Sequence, residues 1–300
     1  MAHGLIRASF VPPQPIQELR DLTRTRKQLT REIVQHTQRI QAVLEEANVK
    51  LSSVITDILG LSGRRILKAI VGGETDPGKL SELGGPRLAA TRAELADALH
   101  GRIRFHHRFL IGQHLKTIEQ LEETIAAFDA RIEAALEPFR DALERLKEVP
   151  GLSETSAQTL LAEIGIDMRQ FPTAGHLLSW AGLIPRLDES AGKRRSTRVR
   201  KGAPWLKPLL VQCAWGAARK KNSYFEAQFL RLKARCGPKK AVVAVAASIL
   251  TTAYHMLADG TCYQDLGADH FARRNPARAA AKLATRIRNL GFHVEIRPAA

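Results

Sequence analysis

Ser190-Ala191-Gly192-Lys193 places a hydroxyl two small residues away from an ammonium, and Arg194, Arg195 and Arg198 follow directly. A serine hydroxyl is a weak nucleophile that needs its proton taken, and attack at phosphorus needs positive charge for the phosphoryl oxygens. The cations answer the second need, and Ala191 and Gly192 leave space for a phosphate backbone to approach the hydroxyl. Read from the residues alone, a serine in a basic loop is more often a hydrogen-bond donor to phosphate or a turn residue than a nucleophile. Asp259, Asp265 and Asp269 with His255 and His270 form an acid and imidazole cluster that could suggest a ligand set. It follows an Asp-Gly turn, which points to loop ordering, so no residue is assigned to a metal. His106, His107 and His114 read as packing or surface residues.

The charge around the serine is lopsided. Between Ala191 and Lys240 there are fifteen basic residues and a single acid, Glu226, which accounts for nearly all of the net +16 of the 300-residue chain. A solvated protein face intersperses signs, whereas a one-sign run of this length repels itself until phosphates neutralise it. Nucleic acid is therefore the expected partner, with Arg186, Lys193, Arg194, Arg195, Arg198, Arg200, Lys201 and Lys207 as candidate phosphate contacts. Cys213, Cys236 and Cys262 are odd in number and lack CxxC spacing, which fits reduced thiols and a cytoplasmic chain. The N-terminus carries no signal-peptide pattern. The uncharged stretch 241–258 reaches the length of a membrane span, but its alanines and its Ser, Thr, Tyr and His side chains fit a helix buried in protein, so no membrane partner is expected.

The elements that must position this loop read as helical. Pro12, Pro13 and Pro15 point to an extended linker over 1–15. A helical region follows over 16–148, with short helices joined by Gly- and Pro-rich turns in its middle. Its second long helix, beginning near His107, carries a stripe at alternating three- and four-residue steps from Ile118 through Leu121, Ile125, Phe128, Ile132, Ala135, Phe139, Ala142 and Leu146 to Val149. Such a stripe makes either an intramolecular hairpin or an intermolecular coiled coil, which leaves a homo-oligomer open. Over Lys116–Glu148 nine acids stand against five bases, so this arm should not lie on nucleic acid, and Pro138 should bend it. At Val149-Pro150-Gly151-Leu152-Ser153 a tight turn opens a further helix, with Ser153 as N-cap and Gly165 as stop. This resembles half of a helix-hairpin-helix element, in which Gly151 and Ser153 would offer backbone N–H groups to a phosphate. A helix pair making a core corner explains the same residues. The basic region runs over 149–275 and a basic tail over 276–300. The fold class is mainly α: a long coiled-coil-like arm followed by a compact helical nucleic-acid-binding domain.

The ordered string Val149-Pro150-Gly151, Leu161-Ala162-Glu163-Ile164-Gly165, Phe171-Pro172, Trp180-Ala181-Gly182-Leu183, Glu189-Ser190-Ala191-Gly192-Lys193, Arg200-Lys201-Gly202 and Trp205-Leu206 resembles the C-terminal domain of the insertion-sequence transposases of the one-ten group. Lys239-Lys240-Ala241, Tyr254-His255 and Tyr263 with Asp265-Leu266-Gly267 continue the match. The resemblance implies DNA transposition by strand cleavage and exchange, DNA as substrate, an element-encoded guide (bridge) RNA as partner and a place in the bacterial cytoplasm on the nucleoid. It implies Ser190 as the nucleophile that forms a covalent link to DNA. It also implies an N-terminal RuvC-like domain with four Mg²⁺-holding acids. Those acids are not in this sequence, in which only Ala2-His3-Gly4-Leu5-Ile6 resembles that domain's exit, so the expectation is a truncated or decayed copy, without a cofactor of its own and inactive alone. Two other readings compete: a binding module for DNA or RNA without chemistry, and a helical oligomerisation protein whose charge is incidental.

Overall fold

The computed structural model describes residues 11–185, 188–196 and 198–297, except the side chains of Asp188, Arg194 and Arg195. Helices dominate, in keeping with the mainly α class, and the chain divides into two compact units, 22–134 and 135–300 together with 1–21.

In the unit 22–134, α1 (Gln14–Glu46) and α6 (Phe105–Leu136) run antiparallel, as shown by the Arg26–Asp129 ion pair at 2.8 Å and the His36 Nδ1 to His114 Nδ1 contact at 3.0 Å. Between them in sequence come α2 (Leu51–Val54), α3 (Leu61–Val71), α4 (Pro77–Glu82) and α5 (Arg92–Ala98). They wrap one end of the hairpin around a core that includes Ile40, Leu44, Ile66, Ile70, Leu95 and Ile111. Lys68 to Glu119 at 2.8 Å and Arg64 to Glu122 tie α3 to α6. The proline-rich lead-in is shorter than the sequence suggests. Pro12 and Pro13 stay outside the helix, but α1 starts at Gln14 and takes Pro15 into its first turn, where proline's missing N–H costs nothing.

The heptad stripe finds a partner within the chain. Ile118 and Ile132 are fully buried, and Leu121, Ile125 and Phe128 are half-buried. At Pro138 the helix gives way to a 3₁₀ turn, Glu137–Phe139, and the rest of the stripe, Ala142, Leu146 and Val149, serves α7 (Arg140–Lys147) and the turn beyond it.

Burial of His114 on the α1–α6 hairpin should make the unit acid-sensitive. Burial, and then the charges of His36 and Arg39, hold the His114 imidazolium below the ordinary histidine range. The folded chain therefore binds fewer protons than the unfolded one, so this contribution to stability is intact above about pH 6.5 and is lost as pH falls below it. His114→Leu should flatten the fall in urea midpoint between neutral pH and pH 5. An unchanged fall would show that other groups set it.

In the unit 135–300, α7 is followed by α8 (Glu154–Ile164), α9 (Ala174–Ala181), a hairpin of β1 (Asp188–Ser190) and β2 (Lys193–Ser196), then α10 (Leu206–Ala217), α11 (Tyr224–Cys236), α12 (Pro238–Asp259), α13 (His270–Arg273) and α14 (Pro276–Arg288). The capping signals act as read. Ser153 Oγ accepts from Ser156 N at the start of α8, and Gly165 ends it. The centre of the unit is α12. It is long and apolar enough to cross a membrane by length and composition, yet Ala241, Val245, Ala246, Ile249, Leu250 and Ala253 are fully buried, and it packs on α9, α10 and α11. The first turns of α1 belong here too. Ile16 and Leu19 are buried, and Arg20 donates to the carbonyls of Ala162 (3.1 Å) and Glu163 (2.8 Å), satisfying acceptors that the end of α8 leaves over.

Candidate nucleic-acid interface

The segment that reads as a basic loop in the sequence is an antiparallel hairpin. Its closing pair is Ser190 opposite Lys193, so Ala191 and Gly192 are the two turn residues, with φ of +51° and +73°. Two consecutive positive φ values define the mirror-image type I′ turn, whose twist matches that of paired strands. Directly opposed residues share one face of a hairpin, so the Ser190 hydroxyl and the Lys193 ammonium lie on the same side at its tip. Both are exposed. The register shifts between Asp188 and Glu189, and an isolated bridge between Pro185 and Val199 continues the ladder below it.

Ala191 is the one turn residue without the freedom of glycine, and an L-residue in this conformation carries about 1 kcal/mol of strain. Asparagine tolerates it better and precedes glycine in the favoured turn of this type. Ala191→Asn should slow amide hydrogen exchange over 188–196 about two- to fivefold. Unchanged or faster exchange would show that the turn is not held in this geometry.

The hairpin is clamped at its base. Gly182 ends α9 in the left-handed conformation, with its N–H reaching Ser179 O and the Leu183 N–H reaching Leu178 O at 3.0 Å, which fixes the direction in which the chain leaves the helix. On the return, Gly202 (φ +63°) presses against the same place. A Cβ on Gly202 would lie 2.3 Å from Ala181 O, and one on Gly182 2.5 Å from the Gly202 Cα. No side chain fits between these backbones. Just beyond, Lys207 at the start of α10 donates to Arg200 O at 2.6 Å, and burial lowers its ammonium below the ordinary lysine range. Lys207 thus also braces the stem, and among the candidate cations whose side chains are described Lys193, Arg198, Arg200 and Lys201 are exposed. Arg186 lies outside the described residues, as do the side chains of Arg194 and Arg195.

The α7–α8 turn is built differently from the hairpin. Gly151 (φ +89°) faces α10 so closely that a Cβ would lie 2.2 Å from Cys213 O and 2.8 Å from Ala217 N, so one side of this turn is packed into the unit. Ser153 stays exposed at the N-terminus of α8, its Oγ 3.0 Å from Ser156 Oγ.

The carboxylates that could suggest a metal are engaged separately. Asp265 accepts from the backbone N–H groups of Tyr224 and Gly267, both at 2.9 Å, Asp269 pairs with Arg273 at 2.7 Å, and Asp259 lies 3.6 Å from His255. Among the described residues no three His, Cys, Asp or Glu side chains converge where an ion could sit.

A glycine-clamped basic hairpin with a serine at its tip, set between α9 and α10, is a specific arrangement, and its residues fall inside the stretch 143–230 that matches the family model of the transposase IS116/IS110/IS902 family. Residues 143–230 are similar to the transposase domain of that family. The match runs from within α7 to within α11 and so takes in both glycine clamps, the hairpin and α10. The chain is similar over 113 residues, at 32% identity, to a protein of Pseudomonas aeruginosa described as a probable family 20 transposase, which covers 36% of this chain and 33% of the relative. It is 31% identical over 157 residues to an uncharacterized protein of the insertion element IS110 of Streptomyces coelicolor (49% of this chain, 36% of the relative). It is 25% identical over 210 residues to a Sinorhizobium fredii protein named as a transposase (59% and 54%). The chain thus spans between a third and about half of the length of the curated relatives it matches.

The sequence missed the strands and the clamp. Asp, Glu, Ser, Lys and Arg have little strand preference, and Ala-Gly is a weak turn signal beside Asn-Gly. The usable signal for the clamp was the recurrence of glycine directly after Trp180-Ala181 and again after Arg200-Lys201.

Proposed function

We propose that this chain supplies the strand-exchange serine of an insertion-sequence transposase, binding DNA by its basic hairpin and presenting Ser190 to a phosphodiester. The observation that carries the reading is the Ser190–Lys193 closing pair at the exposed tip of a clamped hairpin. With a phosphate seated there, Lys193 meets the charge on the phosphoryl oxygens, and the type I′ turn offers only Ala191 and Gly192 as bulk. Ser190 Oγ forms a bond to phosphorus, and one sugar oxygen leaves with the electron pair of its P–O bond. The proton lost from Oγ balances the one gained by the leaving oxygen. Because the phosphodiester is exchanged rather than hydrolysed, the strand can be rejoined by the reverse attack. Activation of the hydroxyl is assigned to groups outside the described residues. Alone, the chain binds DNA without cutting it. A guide RNA and a homo-oligomer belong to the same proposal, by resemblance to the one-ten group.

The test is electrostatic. Duplex affinity should fall tenfold or more between low and physiological salt, because each neutralised phosphate releases condensed counterions. Lys193→Glu with Arg198→Glu should weaken binding to all sequences alike and lower the salt slope by about one for each phosphate no longer neutralised. A flat salt response, or weakening confined to one sequence, would sink this reading.

A further inference from the structure

A second basic surface, which shares no lining residue with the hairpin, lies where α11 faces the α13–α14 segment across an open cleft of about 850 Å³. Arg231 and Arg235 line one wall, and Arg274, Arg278 and Lys282 line the other. No acid lines it. Among the described residues none of these five cations makes an ion pair, in contrast to Arg273 next door, which is taken by Asp269. Arg231 and Arg235 are one helical turn apart, as are Arg278 and Lys282, so each wall repeats its charge about every 6 Å along the cleft. This interval suits successive phosphates of an extended strand. The guanidinium of Arg231 lies over the Phe271 ring at 4.2 Å, and Tyr224 stacks on that ring at 5.2 Å. Arg231 is thereby held as a flat cationic plate at the edge of the cleft, a surface on which a base can stack.

We propose that the cleft between α11 and α14 binds a single-stranded segment of nucleic acid, with backbone phosphates on Arg235, Arg274, Arg278 and Lys282 and a base on Arg231. Size decides against a duplex. A duplex whose major groove alone is about 12 Å across is too bulky for a cleft of about 850 Å³, whereas a few nucleotides of one strand fit. The proposal rests on reading the chain as a nucleic-acid-binding transposase domain, and it adds a site for an unpaired strand distinct from the hairpin.

The experiment measures fluorescence anisotropy of labelled twelve-nucleotide single strands, RNA and DNA, and of a blunt duplex, on the full chain and two variants. Arg274→Glu with Arg278→Glu and Lys282→Glu, all exposed positions, should lower single-strand affinity tenfold or more and reduce its salt slope by about 2. Duplex affinity should stay within about threefold. Arg231→Lys, which keeps the charge and removes the plate, should weaken single-strand binding severalfold with the salt slope unchanged. The RNA and DNA arms identify which strand is preferred, and a loss in either supports the site. Equal losses for strand and duplex, no loss at all, or displacement of the strand by polyglutamate as effectively as by unlabelled strand would overturn the proposal. A failure of the hairpin reading looks different: it removes salt-dependent duplex binding while leaving strand binding and its response to these variants intact.

Discussion

Gly202→Ala should cost the unit 135–300 about 3 kcal/mol or more, whereas Gly192→Ala should cost only about 1 kcal/mol. Both glycines have positive φ, +63° and +73°, so both substitutions carry the same backbone strain. They differ in what surrounds them. A Cβ on Gly192 meets nothing within 4 Å, while one on Gly202 overlaps the carbonyl oxygen of Ala181 at 2.3 Å and the Gly182 Cα at 2.6 Å. Backbone cannot rotate out of the way as a side chain can, so relief requires the two ends of the hairpin to separate. Gly151→Ala should resemble Gly202→Ala, because its Cβ would strike the carbonyl oxygen of Cys213 on α10 at 2.2 Å. Chemical denaturation of the three variants gives the comparison. Equal destabilisation at Gly192 and Gly202 would show that conformational preference alone keeps these glycines and that the backbones are not clamped. The functional consequence is tested on the same proteins: opening the clamp at Gly202 should weaken duplex binding, since the exposed cations at and near the hairpin act together only while the stem holds them on one surface.

Much of the fold was legible because helices announce themselves through periodic burial and punctuation. The N-cap at Ser153, the stops at Gly165 and Gly182 and the buried run from Ala241 through Ala253 all follow from local rules. Pro138 marks the interruption of the long stripe for an equally local reason. The start of α1 is ambiguous at Pro15 in the sequence, because proline forbids a helix interior but is welcome in the first turn. The site was legible as chemistry and illegible as geometry. Ser190 and its cations stand out by type and spacing, but the pairing of Ser190 with Lys193 depends on a hairpin built from poor strand formers, held where Gly182 and Gly202 meet across a long stretch of sequence. Lys207 shows the same limit. As one lysine in a basic stretch it reads as a candidate phosphate contact, and only the fold shows that its amine also donates to Arg200 O.

Ser190→Ala should abolish any covalent protein–DNA adduct while leaving duplex affinity within a few-fold of the parent. The hydroxyl contributes at most one hydrogen bond to bound DNA, about 0.5–1.5 kcal/mol, whereas no other atom at the hairpin tip can form the ester to phosphorus. Lys193→Ala should act differently, weakening both binding and adduct formation, because its charge faces the phosphate before and during attack. The measurement uses a 5′-labelled duplex and follows a band that survives denaturation, with peptide mapping of the attached nucleotide. Run on the chain alone, it should show binding and no adduct, since the proposal assigns activation of the Ser190 hydroxyl to groups outside the described residues. Run on the chain joined behind the N-terminal part of its Streptomyces coelicolor relative, with Mg²⁺ and a matching guide RNA, it should show an adduct that maps to Ser190. An adduct on the unjoined chain would place proton removal within the described residues and overturn the assignment of that role elsewhere. An adduct that persists in Ser190→Ala would move the nucleophile to another residue, and the hairpin would then be a phosphate clamp and not the seat of the chemistry.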